Sequence, residues 1–144
     1  MNNPALTTTA RTVLRIVVGF LFAAHGWQKY AQFTIAGTQG SFAQMGVPAA
    51  DLVAPVVATL ELVGGIALIL GILSRPFAAL LCLEMIGAFV LVHATAGVFV
   101  DKGGFELVLL LAAAAAAVAL VGPGRVSADH ALFGRTASKL RVLA

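Results

Sequence analysis

Two ionisable side chains stand four residues apart near the end of the first apolar run, in Ala24-His25-Gly26-Trp27-Gln28-Lys29-Tyr30. On a helix His25 and Lys29 share one face, about 40° of rotation apart. An imidazole can take up or release a proton near neutrality, and an ammonium beside it can hold an anion or polarise a carbonyl oxygen. Ionisable groups are costly in hydrocarbon, so these two need partners. The candidates on later runs are Glu61, Glu84, His93 and Glu106.

The elements that must position these residues are almost entirely hydrophobic. Of 144 residues 60% are hydrophobic and only 10% charged, with a mean hydropathy of +1.01. A soluble domain carries about 25% charged residues, so this chain cannot cover a water-facing surface and reads as an all-α integral membrane protein. Apolar runs predict spans over residues 12–30, 50–73, 76–96 and 105–121, each near the ~20 residues that cross the hydrocarbon core. The runs lack two-residue alternation, which excludes a membrane β-barrel. The expected fold is a four-transmembrane-helix bundle preceded by a frayed polar tail over residues 1–10. Arg11 and Arg15 before the first run imitate a signal peptide, but no small-x-small cleavage site follows, and the run reads as a retained span.

The connections refine this. Ser74-Arg75-Pro76 predicts a tight hairpin, and residues 97–104 a polar loop. Residues 31–49 form an amphipathic outer loop, with Phe42 and Met45 on one face and Gly46-Val47-Pro48 as a break, and should fold over the outer end of the bundle. Pro55 should kink the second span. Arg11, Arg15, Arg75, Arg125, Arg135, Lys139 and Arg141 fall on one side and Lys29 and Lys102 on the other. The positive-inside rule then makes both termini cytoplasmic. Residues 122–144 read as a basic tail along the anionic inner leaflet.

Counting the helical rise from the span ends puts Lys29, His93 and Glu106 roughly 5 Å below the outer surface and His25 roughly 10 Å. Glu61 and Glu84 fall near the midplane, at about 15–18 Å. Such a one-sided ladder predicts a polar pocket open to the outer face. His25 and Glu61 are the expected proton donors and acceptors. Lys29 and Glu106 set the local field as an ion pair, and His93 and Trp27 complete the ligand-binding mouth. Gly64, Gly65, Arg75 and Pro48 are structural, the glycines allowing close helix approach. Glu84 stands nine residues before His93, about 180° away on a regular helix, so the two are not expected in one cavity.

These spacings bear on several chemistries. Cys82 is alone, which excludes an intramolecular disulfide and a cysteine-ligated metal cluster within one chain. A carboxylate-bridged di-iron site needs Glu-x-x-His pairs, whereas Glu61, Glu84 and Glu106 are followed by Gly64, Gly87 and Leu109. No metal site is expected. A bis-histidine haem on His25 and His93 is disfavoured, because no small-residue pocket accompanies them. Basic residues lack the aromatic interleaving of nucleic-acid binders. The ladder fits best a quinone-like amphiphile whose protons pass through His and Glu side chains.

Together, Phe22…His25-Gly26-x-x-Lys29, Phe42-x-x-x-Gly46-x-Pro48, Glu61-x-x-Gly64-Gly65, Leu70-Gly71…Arg75, Met85…His93, Glu106 and Gly122-Pro123-Gly124-Arg125-x-Ser127-x-Asp129 resemble the DoxX family over about residues 11–130. The resemblance implies a DoxX-like membrane domain over 1–130, a basic tail over 131–144, and a multi-pass location in the bacterial inner membrane. That family is named for its likeness to the membrane subunit of an archaeal thiosulfate:quinone oxidoreductase. Some mycobacterial members associate with superoxide dismutase and a sulfurtransferase in a membrane redox complex. It therefore implies an oxidoreductase subunit with a quinone-like ligand and a role in oxidative stress, partnered by the bilayer and by redox proteins or further copies of itself. His25, Lys29, Glu61, Arg75, His93 and Glu106 match the pattern, whereas Glu84 does not. A non-catalytic scaffold or assembly factor, and a small oligomeric transporter, stay open as alternatives.

Overall fold

The computed structural model describes residues 3–133, and every described element is helical. Helix α1 spans Pro4–Ala31, α2 Ile35–Gln44, α3 Ala50–Leu70, α4 Ser74–Ala88, α5 Glu106–Val121 and α6 Ala128–Phe133. The first helix starts well before the expected Thr12. Asn3 caps it, its side chain accepting from the Ala5 and Leu6 amides, and Pro4 takes the first turn, where a missing N–H costs nothing. Thr7, Thr9 and Thr12 donate their hydroxyls to carbonyls four residues back, so the polar stretch read as a frayed tail is helix instead. α1, α3 and α4 with its continuation to His93 are long and apolar enough to cross a membrane, while α5 is a shorter apolar helix of 16 residues.

α1 packs along α3, α4 lies between α3 and α5, and α5 also touches α1. Val18, Phe22, Leu68, Leu81, Met85, Leu111 and Val118 fill the centre, while Phe20, Leu83, Leu110 and Leu120 point outward from the same helices. Apolar residues on both faces suit a bundle in lipid. The α1–α3 seam runs on glycine. A Cβ on Gly26 would lie 2.9 Å from the Ala58 carbonyl oxygen and closer still to the Leu62 backbone, and one on Gly19 would lie 2.7 Å from the Gly65 oxygen.

Helix α2 docks on α3 through the consequence of a proline. Pro55 has no N–H to give the Asp51 carbonyl four residues back, and the Gln39 side chain of α2 donates to that carbonyl instead, at 2.8 Å. Gly46, at φ +77°, and the exposed Pro48 turn the chain from α2 into α3.

At the far end of the bundle, two buried charges answer two helix termini. The Arg15 guanidinium donates to the carbonyls of Leu68 and Ile69, at the C-terminal end of α3, and to Val126. The Asp129 carboxylate accepts from the Leu73 and Ser74 amides at 2.8 and 2.9 Å and from the Ser74 hydroxyl. Each charge has the sign that the adjacent helix dipole favours. Residues 122–133 thus fold back as a clasp beneath α3 and α4, with Pro123 and Asp129 buried, and do not form a tail along a leaflet. The remainder of the expected tail, 134–144, lies outside the described residues. Arg75 is half-buried near the end of α5, its guanidinium 3.5 Å from the Ala119 carbonyl.

The seam gives a matched pair of expectations. Gly26→Ala should lower stability by about 1–3 kcal/mol, because two backbones must separate. Gly40→Ala, on α2 with nothing within 4 Å of the new methyl, should raise it by about 0.5–1 kcal/mol. Thermal unfolding of the detergent-solubilised variants checks both.

Candidate functional site

Helical spacing on α1 places Phe22, His25 and Lys29 on one stripe, while Gly26, on the neighbouring stripe, holds that part of α1 tight against α3. The contact brings the Lys29 ammonium to 2.5 Å from the Glu61 carboxylate, an ion pair whose side chains are only 16% and 6% exposed. Tyr30 and Thr59 add a second α1–α3 link, 2.6 Å between hydroxyls. Gly64 and Gly65, one turn below Glu61, open to different neighbours. A Cβ on Gly64 would touch Leu81 and Phe77 of α4 at 3.2 and 3.3 Å, and one on Gly65 would collide with the α1 backbone at Ala23. Glu61 is thereby held on a segment flanked closely by both helices.

His25, Lys29, Glu61, Glu84 and His93 all line one cavity of about 520 Å³. Its apolar wall includes Phe22, Val57, Leu107 and Leu111, and Phe42 and Met45 from the α2 region cover it. A volume of this order suits a small organic ligand. The Glu84 carboxylate is buried with no donor in hydrogen-bonding geometry, while the Glu61 carboxyl stands beside it as a side-chain hydrogen-bond neighbour and Lys29 lies within electrostatic reach. One ammonium therefore stands among two carboxyl groups. His25 makes no hydrogen bond among the described residues and is half-exposed on the cavity wall.

His93 reaches the cavity because α4 does not stay α-helical. Residues Phe89–His93 wind as a π-helical turn, with the Ala94 amide donating to the Phe89 carbonyl at 2.8 Å. The extra residue in the turn sets the helix back by about 100°, leaving Glu84 and His93 about 80° apart instead of 180°. The expectation that these two could not share a cavity is corrected on this ground. The His93 Nδ1 lies 2.6 Å from the Gly103 carbonyl oxygen. A carbonyl only accepts, so Nδ1 carries the proton and, in the neutral ring, Nε2 is left as acceptor.

Two expected members stand elsewhere. Glu106 does not line the cavity or pair with Lys29; its carboxylate accepts from the Val100 amide at 2.7 Å and closes the loop before α5. Trp27 is 61% exposed and absent from the lining, since it sits two positions from His25 and projects away from that stripe. Among the described residues no three His, Cys, Asp or Glu side chains are grouped to hold a metal ion.

The DoxX family profile matches residues 10–94. The chain is 35% identical over 121 residues to the inner membrane protein YqjF of Escherichia coli, covering 83% of this chain and 89% of that protein. It is 33% identical over 99 residues to a Bacillus subtilis protein named "Putative oxidoreductase CatD", covering 69% of this chain and 70% of the relative. An uncharacterized protein of Haemophilus influenzae is 33% identical over 123 residues, at 83% and 88% coverage. No solved structure matches significantly.

The charge arrangement implies an asymmetry between single substitutions. Breaking a buried pair costs about 3–5 kcal/mol. In Glu61→Gln the Lys29 ammonium can turn to Glu84, whereas Lys29→Met leaves two carboxyl groups facing each other. Lys29→Met should therefore destabilise more than Glu61→Gln, and Lys29→Met with Glu84→Gln should recover part of the loss. Denaturant unfolding of the three variants measures this, and equal costs for the two single changes would contradict the three-group arrangement.

Proposed function

Since the chain belongs to the DoxX family of membrane proteins, we propose that it serves as the membrane subunit of a redox system and binds a quinone-like amphiphile in the cavity between α1, α3 and α4. It is a multi-pass inner-membrane protein, in keeping with its relatives' names and its three long apolar helices. The oxidoreductase in the name of its Bacillus subtilis relative supports the redox reading. We take α5 as a fourth, short crossing of about 24 Å, with both termini cytoplasmic by the distribution of Lys and Arg. The cavity then opens toward the periplasmic half.

The observation that carries this reading is a second buried carboxyl group, Glu84, facing the Lys29–Glu61 ion pair in a largely apolar cavity. Lys29 balances one carboxylate, so the second either holds a proton or faces a cationic group. A proton held there is a hydrogen-bond donor for a ligand carbonyl oxygen. The apolar wall suits a substituted ring or a prenyl chain, and the covering residues Phe42 and Met45 keep water from the head.

Reduction of a quinone to its quinol takes two electrons and two protons. A partner redox protein supplies the electrons. His25 and the Glu61–Glu84 pair supply one proton each, one to each ring oxygen, and regain them from the aqueous side past His93. Lys29 stabilises the negative charge that develops on the nearer oxygen. Glu61 and His25 thus keep the proton-handling roles expected of them, and Glu84 joins them.

Titration calorimetry with a short-chain quinone and the protein in nanodiscs tests the proposal. Wild type should bind, and His25→Ala and Glu84→Gln should each weaken binding about tenfold, the effect of one hydrogen bond to a charged or protonated group. Unchanged affinity in both variants would leave a passive helix bundle.

A further inference from the structure

A second cavity, of about 430 Å³, lies at the opposite end of the bundle from Glu61 and is lined by Pro4, Thr7, Thr8, Arg11, Gly124, Arg125 and His130. Its chemistry is cationic. Among the described residues two guanidinium groups and an imidazole line it, and no carboxylate does. Neither arginine side chain forms a hydrogen bond or ion pair among the described residues. Asp129, beside His130 in sequence, is fully occupied at the start of α4. Arg15, one turn from Arg11, is likewise occupied by carbonyls. Arg11 and Arg125 therefore bring uncompensated charge to the wall of the cavity.

The clasp builds this hollow. Gly124, at φ +83°, lets the backbone lie against α1, where an added Cβ would be 3.3 Å from the Arg11 Cβ. Residues distant in sequence, Arg11 on α1 and Arg125 in the clasp, are thereby set facing one space. The height is also defined. α1 has 28 residues and is about 42 Å long, which exceeds the ~30 Å hydrocarbon core. Its threonine-rich first turns and Arg11 must then stand in the headgroup layer. Val126 is largely exposed and bonded through its carbonyl to Arg15, one turn inward of Arg11, and so gives apolar surface on the membrane side of the polar lining.

We infer that this cavity binds the phosphate headgroup of an anionic phospholipid, with Arg11 and Arg125 holding the phosphate oxygens and Val126 against the acyl chains. Guanidinium forks match phosphate geometry, and basic hollows at the cytoplasmic end of membrane helices select anionic headgroups. The lipid would tie the clasp to α1 and so brace the end of the bundle that holds α3 and α4 together.

Native mass spectrometry of the full chain in neutral detergent, with phosphatidylglycerol or phosphatidylethanolamine added, reads the site directly. Phosphatidylglycerol should be retained in preference, and Arg11→Gln and Arg125→Gln should each weaken it about fivefold. Arg125 is exposed on the clasp, so its replacement leaves the fold intact, and Lys102→Gln at the other end is the charge control that should change nothing. Inorganic phosphate at the lipid's concentration should not compete. Equal retention of the two lipids, full retention by the double variant, or displacement by inorganic phosphate alone would each overturn the assignment.

Discussion

A lysine and a glutamate can remain inside an apolar bundle only if they meet, and the meeting of Lys29 with Glu61 governs much of this structure. The contact of 2.5 Å is made across a seam where α1 and α3 run almost in backbone contact, which requires glycine at positions 19, 26 and 65. Glu84 then stands close to charges already balanced. The cavity follows from the same constraint, since α4 and α5 pack around a polar group they cannot fill with hydrocarbon side chains. A buried ion pair is weak evidence for stability. We propose that its place beside a second buried carboxyl group serves a ligand in the cavity.

The opposite end solves the same physical problem differently. There the buried charges meet helix termini: Arg15 meets the carbonyls that end α3, and Asp129 the amides that begin α4. Both charges satisfy groups that no intrahelical bond can reach. At this end the buried charges are taken up by helix termini, and at the other Glu84 and His25 line a cavity. One end holds the helices, and the other leaves groups free for a ligand.

How far the sequence reveals this depends on the range of the interaction. Apolar runs specify α5 to within one residue and locate α3 and α4, overrunning by three residues the end of α3 and of the π-helical turn that continues α4, because burial in lipid acts on every side chain of a run. His25 and Lys29 were legible from a local spacing of four, and Glu61 from its isolation in a long apolar stretch. Helical counting failed for Glu84 and His93, since it assumes 100° per residue and cannot register a π-helical turn. Spacing points Glu106 toward Lys29, whereas the Val100 amide, in a loop without periodicity, captures it. The clasp was equally hidden, as the pairing of Asp129 with Leu73 and Ser74 joins residues more than fifty positions apart. The start of α1 is set by a local signal, an Asn3 cap followed by proline in the first turn, which a polar stretch of threonines obscures.

The central claim is that the hollow bounded by His25, Lys29, Glu61, Glu84 and His93 receives the head of a quinone-like molecule. The most direct measurement is an electron cryomicroscopy map of the protein in lipid nanodiscs with a bound quinone analogue carrying a heavy atom on its ring. The account expects the heavy atom inside this cavity, with a ring oxygen within hydrogen-bonding distance of Glu84 or Lys29. A heavy atom found only on the lipid-facing surface of the helices, with the cavity unchanged, would contradict it.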